Sequence, residues 1–174
     1  MANRRQSIIR AGLETLYYSG MHHVARPFLS GVGAILTFHR VRPALADPFQ
    51  PNRILEITPE FLDEVLTRLE QSGTEVISLD EVHRRLIEGR TTRRFVALTF
   101  DDGYRDNREY ALPILARHNM PFTLFLPSDF AEGRGELWWV ALERAIAEND
   151  RVEVVISDIP QTFDCATSEA KQVA

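Results

Sequence analysis

The sequence has one cysteine, Cys165, one lysine, Lys171, and no histidine beyond His118. A single cysteine excludes an internal disulfide and leaves the redox compartment open. Lone cysteines are mostly small buried side chains, so Cys165 is read as packing. No stretch reaches the roughly 20 apolar residues of a membrane-spanning helix. The opening residues do not read as a signal peptide, because Arg10, Glu14 and the polar run 19–23 interrupt the roughly 7–15 apolar residues one needs. Export is therefore not expected, and the location expected is cytoplasmic or membrane-peripheral. Internal repeats and low-complexity segments are also missing. What is present is the mix of an ordinary globular domain, with 44% hydrophobic and 26% charged residues in 174.

The net charge of −5 is unevenly spread. Residues 1–57 hold seven Arg against three acids (+4), and residues 58–174 hold thirteen basic groups against twenty-two acids (−9). An acidic body argues against nucleic acid as a partner, since phosphate contacts need clustered cations. The arginines are scattered, which reads as composition bias.

Ile8, Ile9, Gly12, Leu13, Leu16 and Tyr17 fall on one helical face, with Arg4, Arg5 and Arg10 around it. Two readings compete: a membrane-surface helix, and a leading helix packed on the domain. The second is preferred, because most such stripes are core faces. Residues 1–32 are taken as an N-terminal helical segment and 33–174 as an α/β domain.

Gly33–Phe38 (GAILTF) reads as a buried strand and 42–57, with three prolines, as a loop. Thr58-Pro59-Glu60 opens a helix striped by Phe61, Leu62, Val65, Leu66 and Leu69 and ended by Gly73. Glu75–Leu79 is expected as a strand and Asp80–Glu88 as a helix stopped by Gly89. Arg94–Phe100 is the next strand, and Asp106–His118 is helical despite Pro113. Met120–Pro127, Leu137–Glu148 and Val152–Ile156 read as strand, helix and strand. The alternation predicts parallel pairing. After Ile159 the pattern fades.

The most informative segment is Thr99-Phe100-Asp101-Asp102-Gly103-Tyr104. Two carboxylates follow an apolar strand and precede a glycine that frees the turn, at the strand end where parallel α/β folds place their sites. Adjacent carboxylates repel unless a cation offsets them, so a divalent metal on one Asp would leave the other as a base. Asp-Gly is also a common plain turn.

Val96 to Tyr104 resembles the first signature motif of the polysaccharide deacetylase family, which includes nodulation-type chitooligosaccharide deacetylases. The resemblance extends to Leu36-Thr37-Phe38-His39-Arg40-Val41, Asp106-Asn107, Pro113-Ile114-Leu115 and Pro121 to Leu126, covering roughly residues 33–142. It implies a (β/α) barrel of parallel strands, partial here and incomplete at its C-terminal side. It further implies Asp101 as general base, Asp102 as ligand of a divalent metal, most often zinc, and hydrolysis of N-acetyl groups on amino-sugar oligomers or polysaccharides. The family's later pair of metal-binding histidines is not found: His22, His23, His39, His83 and His118 contain no i, i+4 pair. The chain is therefore read as the front portion of a longer deacetylase, inactive alone. The alternative is a non-catalytic carbohydrate-binding remnant of the same fold. A magnesium-dependent phosphoryl hydrolase is a third reading, weakened because Gly31-Val32-Gly33 precedes a strand rather than a helix.

His39, Tyr104 and Trp138 are candidate substrate contacts. For His39 a structural, hydrogen-bonded role is preferred. Trp138-Trp139 head an apolar stripe and read partly as core. His83 reads as solvated, His118 as a helix-end dipole partner, and His22-His23 as solvated or packed.

Overall fold

The computed structural model describes residues 2–24, 31–89 and 93–174, with side chains from residue 7 onward. In chain order it contains α1 (Ala2–Tyr18), β1 (Gly33–Phe38), β2 (Arg40–Val41), a 3-10 turn at Pro51–Leu55 and β3 (Glu56–Ile57). There follow α2 (Pro59–Gln71), β4 (Glu75–Val76), α3 (Leu79–Glu88), β5 (Phe95–Phe100) and a π-helical turn, Asn107–Ala111, leading into α4 (Leu112–Arg117). The last third holds β6 (Thr123–Leu124), α5 (Ser128–Ala131), α6 (Trp138–Glu148), β7 (Arg151–Ile156), β8 (Ile159–Asp164) and α7 (Ser168–Lys171).

Strand β5 is the axis of the main sheet. On one side β1 runs parallel to it in register, Gly33 opposite Phe95 through Phe38 opposite Phe100. On the other side β4 pairs with its start and β6 with its end, both parallel. The architecture is mixed α/β with parallel strands, as the alternation predicted, and among the described residues the main sheet is open and four-stranded.

All six residues of β5 are buried. Val96, Leu98 and Phe100 point to one face and pack with Leu62 and Leu66 of α2 and with Ala111, Ile114 and Leu115. Phe95 and Ala97 point to the other and meet Ile77 and Val82. Helix α2 starts where its cap dictates, Thr58 Oγ1 accepting from the Phe61 N–H at 3.2 Å. Ser78 caps α3 in the same way, and Gly89 closes α3 at φ +61°. Before Pro113 the helix widens into a π turn, the Leu112 N–H reaching back five residues to the Asn107 carbonyl. Proline cannot donate and crowds the preceding turn, so the register shift falls where the α-helical ladder is already broken.

Several expectations are corrected. Strand β1 is not buried: Ile35 is 53% exposed, and among the described residues β1 pairs with β5 alone. Helix α1 is not packed on the domain, since every described side chain from Ser7 to Tyr18 is exposed. The segment 42–57 is not wholly loop, for Arg40–Val41 and Glu56–Ile57 form a short parallel bridge. The strand expected over Met120–Pro127 narrows to Thr123–Leu124. Val152–Ile156 is not a further parallel strand. It belongs to an antiparallel hairpin with β8, turned through Ser157 and Asp158, both at positive φ. Its second strand lies where the sequence pattern fades, and its base packs with α6 around Phe49, Ile146 and the buried Cys165.

Candidate functional site

Asp101 and Asp102 stand at the C-terminal end of β5, as their position in the sequence predicted. The Asp101 N–H donates to the Phe38 carbonyl at 2.9 Å, extending the β1–β5 ladder one residue past the strand. The chain then turns sharply, with Asp102 at φ +66° and Gly103 at φ +64°. Two successive left-handed residues are what a type I′ turn requires, and a non-glycine residue there is strained. A Cβ added at Gly103 would meet the tip of the Leu126 side chain, which is exposed and can move aside, so it is the positive φ that calls for glycine. The Asp-Gly dipeptide is thus a real turn, and it is also the device that presents both carboxylates to one crevice.

That crevice is an open cleft of about 630 Å³ whose lining includes Ile35, Thr37, Thr99, Asp101, Asp102 and Leu126. The same faces of β1 and β5 that supply Thr37 and Thr99 form its floor, tied by a 3.0 Å hydrogen bond from Thr99 Oγ1 to Thr37 Oγ1. A second cleft, about 480 Å³, lies on the other side of the turn. It shares Asp102 and adds Arg40, Arg105, Glu109, Phe130 and Leu137.

His39 is brought to the site. Its Nε2 lies 3.9 Å from Asp101 Oδ2, too long for a hydrogen bond but within ion-pair range if the ring is protonated. The two residues extend adjacent strands past the paired Phe38 and Phe100, and the His39 carbonyl is held by Asn107 Nδ2 at 3.0 Å. Tyr104 is beside the turn but buried, its hydroxyl accepting from Trp139 Nε1 at 2.8 Å and its ring lying 4.7 Å from the Arg40 guanidinium. Burial pushes its phenol pKa up, against the opposing pull of the Trp139 hydrogen bond. Trp138 is 66% exposed and lines neither cleft. His22 stacks on Tyr17 with His23 beside it, His83 lies on α3, and none of the three lines either cleft.

Sequence reasoning gave no role to the support beneath the turn. Arg40 Nε donates to Asp106 Oδ2 at 2.8 Å, and Arg40 also lies 3.5 Å from Glu56, itself bonded by Arg42. Asp106 is nearly buried, so the pair replaces solvation it would otherwise lose, and breaking one partner would strand a charge. Arg40 and Asp106 could have been noticed as charges flanking the two strand ends. Nothing in composition says that they meet.

The carboxylates also bear on metal binding. A tetrahedral zinc site needs three protein ligands and an open position. Among the described residues no group of three His, Cys, Asp or Glu side chains is arranged to hold a metal ion. Asp102 is one candidate donor, and the set does not fit zinc as it stands.

Comparison with known proteins falls on this region. Residues 88–154 match the family model described as polysaccharide deacetylase. The match takes in β5, the Asp-Asp-Gly turn, the π turn and α6, and misses β1 with His39 and Arg40. Among curated proteins none matches the sequence. Among solved structures the chain is similar to the Streptococcus pyogenes deacetylase PplD in complex with acetate, at 23% identity and TM-score 0.50, over 64% of this chain and 51% of that one. It is also similar to IcaB from Ammonifex degensii (25% identity, TM-score 0.47, 54% of this chain and 37% of that one). A de-N-acetylase from Aggregatibacter actinomycetemcomitans gives 18% identity and TM-score 0.47 over 77% of this chain and 45% of that one. The chain thus spans about half the length of these structures or less. The PplD likeness supports the partial-barrel fold.

Proposed function

We propose that this chain carries the base-bearing portion of a carbohydrate deacetylase that hydrolyses N-acetyl groups on amino-sugar oligomers or polysaccharides. One observation carries the reading: the Asp101-Asp102-Gly103 turn presents two carboxylates to a 630 Å³ cleft, inside the stretch that matches the polysaccharide deacetylase model. Asp101, facing His39, is placed to take a proton from a water attacking the acetamide carbonyl. Its backbone is fixed by the ladder to Phe38, which sets where its side chain leaves the strand. Asp102 is free to offer its carboxylate to a divalent cation, zinc by resemblance. Since the described residues do not complete such a site, the chemistry attributable to this chain is proton transfer and substrate orientation.

The same shortfall favours a second reading, a carbohydrate-binding remnant that has lost catalysis. The phosphoryl hydrolase gains nothing, for Gly31–Gly33 leads into β1, not a phosphate-cradling helix. The test is acetate release from N-acetylated amino-sugar oligomers, with oligomer binding followed alongside. The longest natural polypeptide carrying this sequence should release acetate, and Asp101→Asn should lower the rate by about 10²-fold or more without loss of oligomer binding. Full activity in the variant would remove Asp101 as base. Oligomer binding with no acetate release from the unaltered polypeptide would establish the remnant instead.

A further inference from the structure

The apolar stripe of α1 is left uncovered by the described fold. Ile8, Ile9, Leu13 and Tyr17 are 66%, 53%, 62% and 62% exposed. At 100° per residue Ile9, Leu13, Leu16 and Tyr17 share one face, with Ile8 and Gly12 on its border. Met21 and Val24, just beyond the helix, are exposed as well. A contiguous apolar face of this kind marks an interaction surface.

Charge identifies the kind of partner. Residues 1–24 carry Arg4, Arg5 and Arg10 against the single acid Glu14, a balance of +2, whereas residues 58–174 carry −9. Arg10 is paired to Glu14 at 2.8 Å yet remains 81% exposed. A protein partner complementary to the acidic body would be repelled by this segment, and an anionic surface would attract the segment while repelling the body. Tyr17 and Tyr18, with polar tips on apolar rings, close the helix in the manner of side chains that settle at a headgroup boundary. The helix is neither long nor apolar enough to cross a bilayer.

We infer that α1 is a surface anchor that lays its Ile9–Leu13–Leu16 face into the headgroup region of an anionic bilayer, holding the acidic domain outward. This holds whether or not the deacetylase reading does, because it uses none of the cleft residues. The experiment is co-sedimentation of the intact chain with phosphatidylcholine vesicles and with vesicles containing about one third phosphatidylglycerol. Binding is expected to the anionic vesicles, at least tenfold stronger than to the neutral ones, and to fall steeply at about 0.5 M salt. Leu13→Glu combined with Leu16→Glu should abolish it, and Arg10→Glu should weaken it about fivefold. Those side chains are exposed, so the thermal melt of the domain should be unchanged, separating lost anchoring from misfolding. Equal partition into both vesicle types, or binding indifferent to the Leu substitutions, would overturn the inference. So would a stable dimer through α1 that persists with anionic vesicles in excess, since the stripe would then be occupied by a second copy.

Discussion

Strands β1 and β5 carry nearly the same residues and lie side by side in register, Ala34 to Phe38 against Val96 to Phe100, yet their surroundings differ. β5 is buried along its whole length. β1 is half-buried only at Leu36 and Phe38, which reach the core beneath α2, while Ile35 and Thr37 open onto the cleft. Neighbour count accounts for this: among the described residues β5 has β1 on one side and β4 and β6 on the other, and β1 has β5 alone. A hydrophobic run therefore reports that a strand exists and says little about how many strands flank it. It also explains where the site lies. The strand covered on both faces holds the carboxylates rigidly, and its exposed neighbour supplies the wall of the cleft and the flanking His39.

The contrast predicts unequal costs for equivalent truncations. Leu98→Ala, at a position 1% exposed and packed into the main core, should lose about 2–5 kcal/mol of stability. Ile35→Ala, on the open face, should lose under about 1 kcal/mol. Denaturant melts of the two variants would decide it, and equal losses would mean that β1 is covered in solution.

A smaller effect is expected at the turn that ends β5. Gly103→Ala forces a side chain into the left-handed region and toward Leu126, and should cost about 1–2 kcal/mol. Leu126 is itself exposed and free to shift, so the backbone conformation sets the cost. In the longest natural polypeptide carrying this sequence, the proposed acetate release should fall as well, because the same turn aims Asp101 and Asp102. A variant with wild-type stability and activity would show that the crevice tolerates a different turn.

Those parts of the molecule were legible where a local rule had one solution. Thr58 before Pro59, Gly89 after α3 and Asp101-Asp102-Gly103 after an apolar strand all sit where expected, because caps and turns are decided within a few residues. Pairing partners are decided at a distance, and there the reading failed. Val152–Ile156 looked like another parallel strand, and its partner was hidden because Pro160 and the glycine-free Ser157-Asp158 turn carry no hairpin signature. At the strand end, the position of Asp101 and Asp102 was legible from the apolar run before them and the glycine after, while their roles rest on the resemblance. The Arg40–Asp106 support was not, since buried charges look like surface charges until their partners, 66 residues apart, are brought together. Helix α1 shows the converse, an apolar stripe read as core because stripes usually are.

The helical layer packed on β5 has its own lock, and the weakest expected effect concerns it. His118, at the end of α4, lies between two carboxylates of α2: Nε2 is 2.7 Å from Asp63 Oδ1 and Nδ1 is 2.8 Å from Glu70 Oε1. Arg117 reaches Asp63 as well. The hydrogen bonds to Asp63 and then Glu70 raise the His118 pKa above its ordinary value of 6.5. The same contacts from His118 and Arg117 hold Asp63 below its ordinary 3.8. A raised folded pKa means that the folded state binds the proton more tightly than the unfolded chain. The stabilisation from His118 is therefore complete below about pH 6.5 and is lost as pH rises through the folded value. For Asp63 the sign is opposite, with stabilisation complete above about pH 3.8 and lost as pH falls further. Stability should decline gently as pH rises above about 6.5, and His118→Gln should remove that decline while leaving the acid limb to Asp63 and Arg117. Denaturation midpoints across this range would show it. An unchanged slope in the variant would mean that the His118 contacts add nothing to holding α4 on α2, leaving that to Arg117–Asp63 and the apolar contacts.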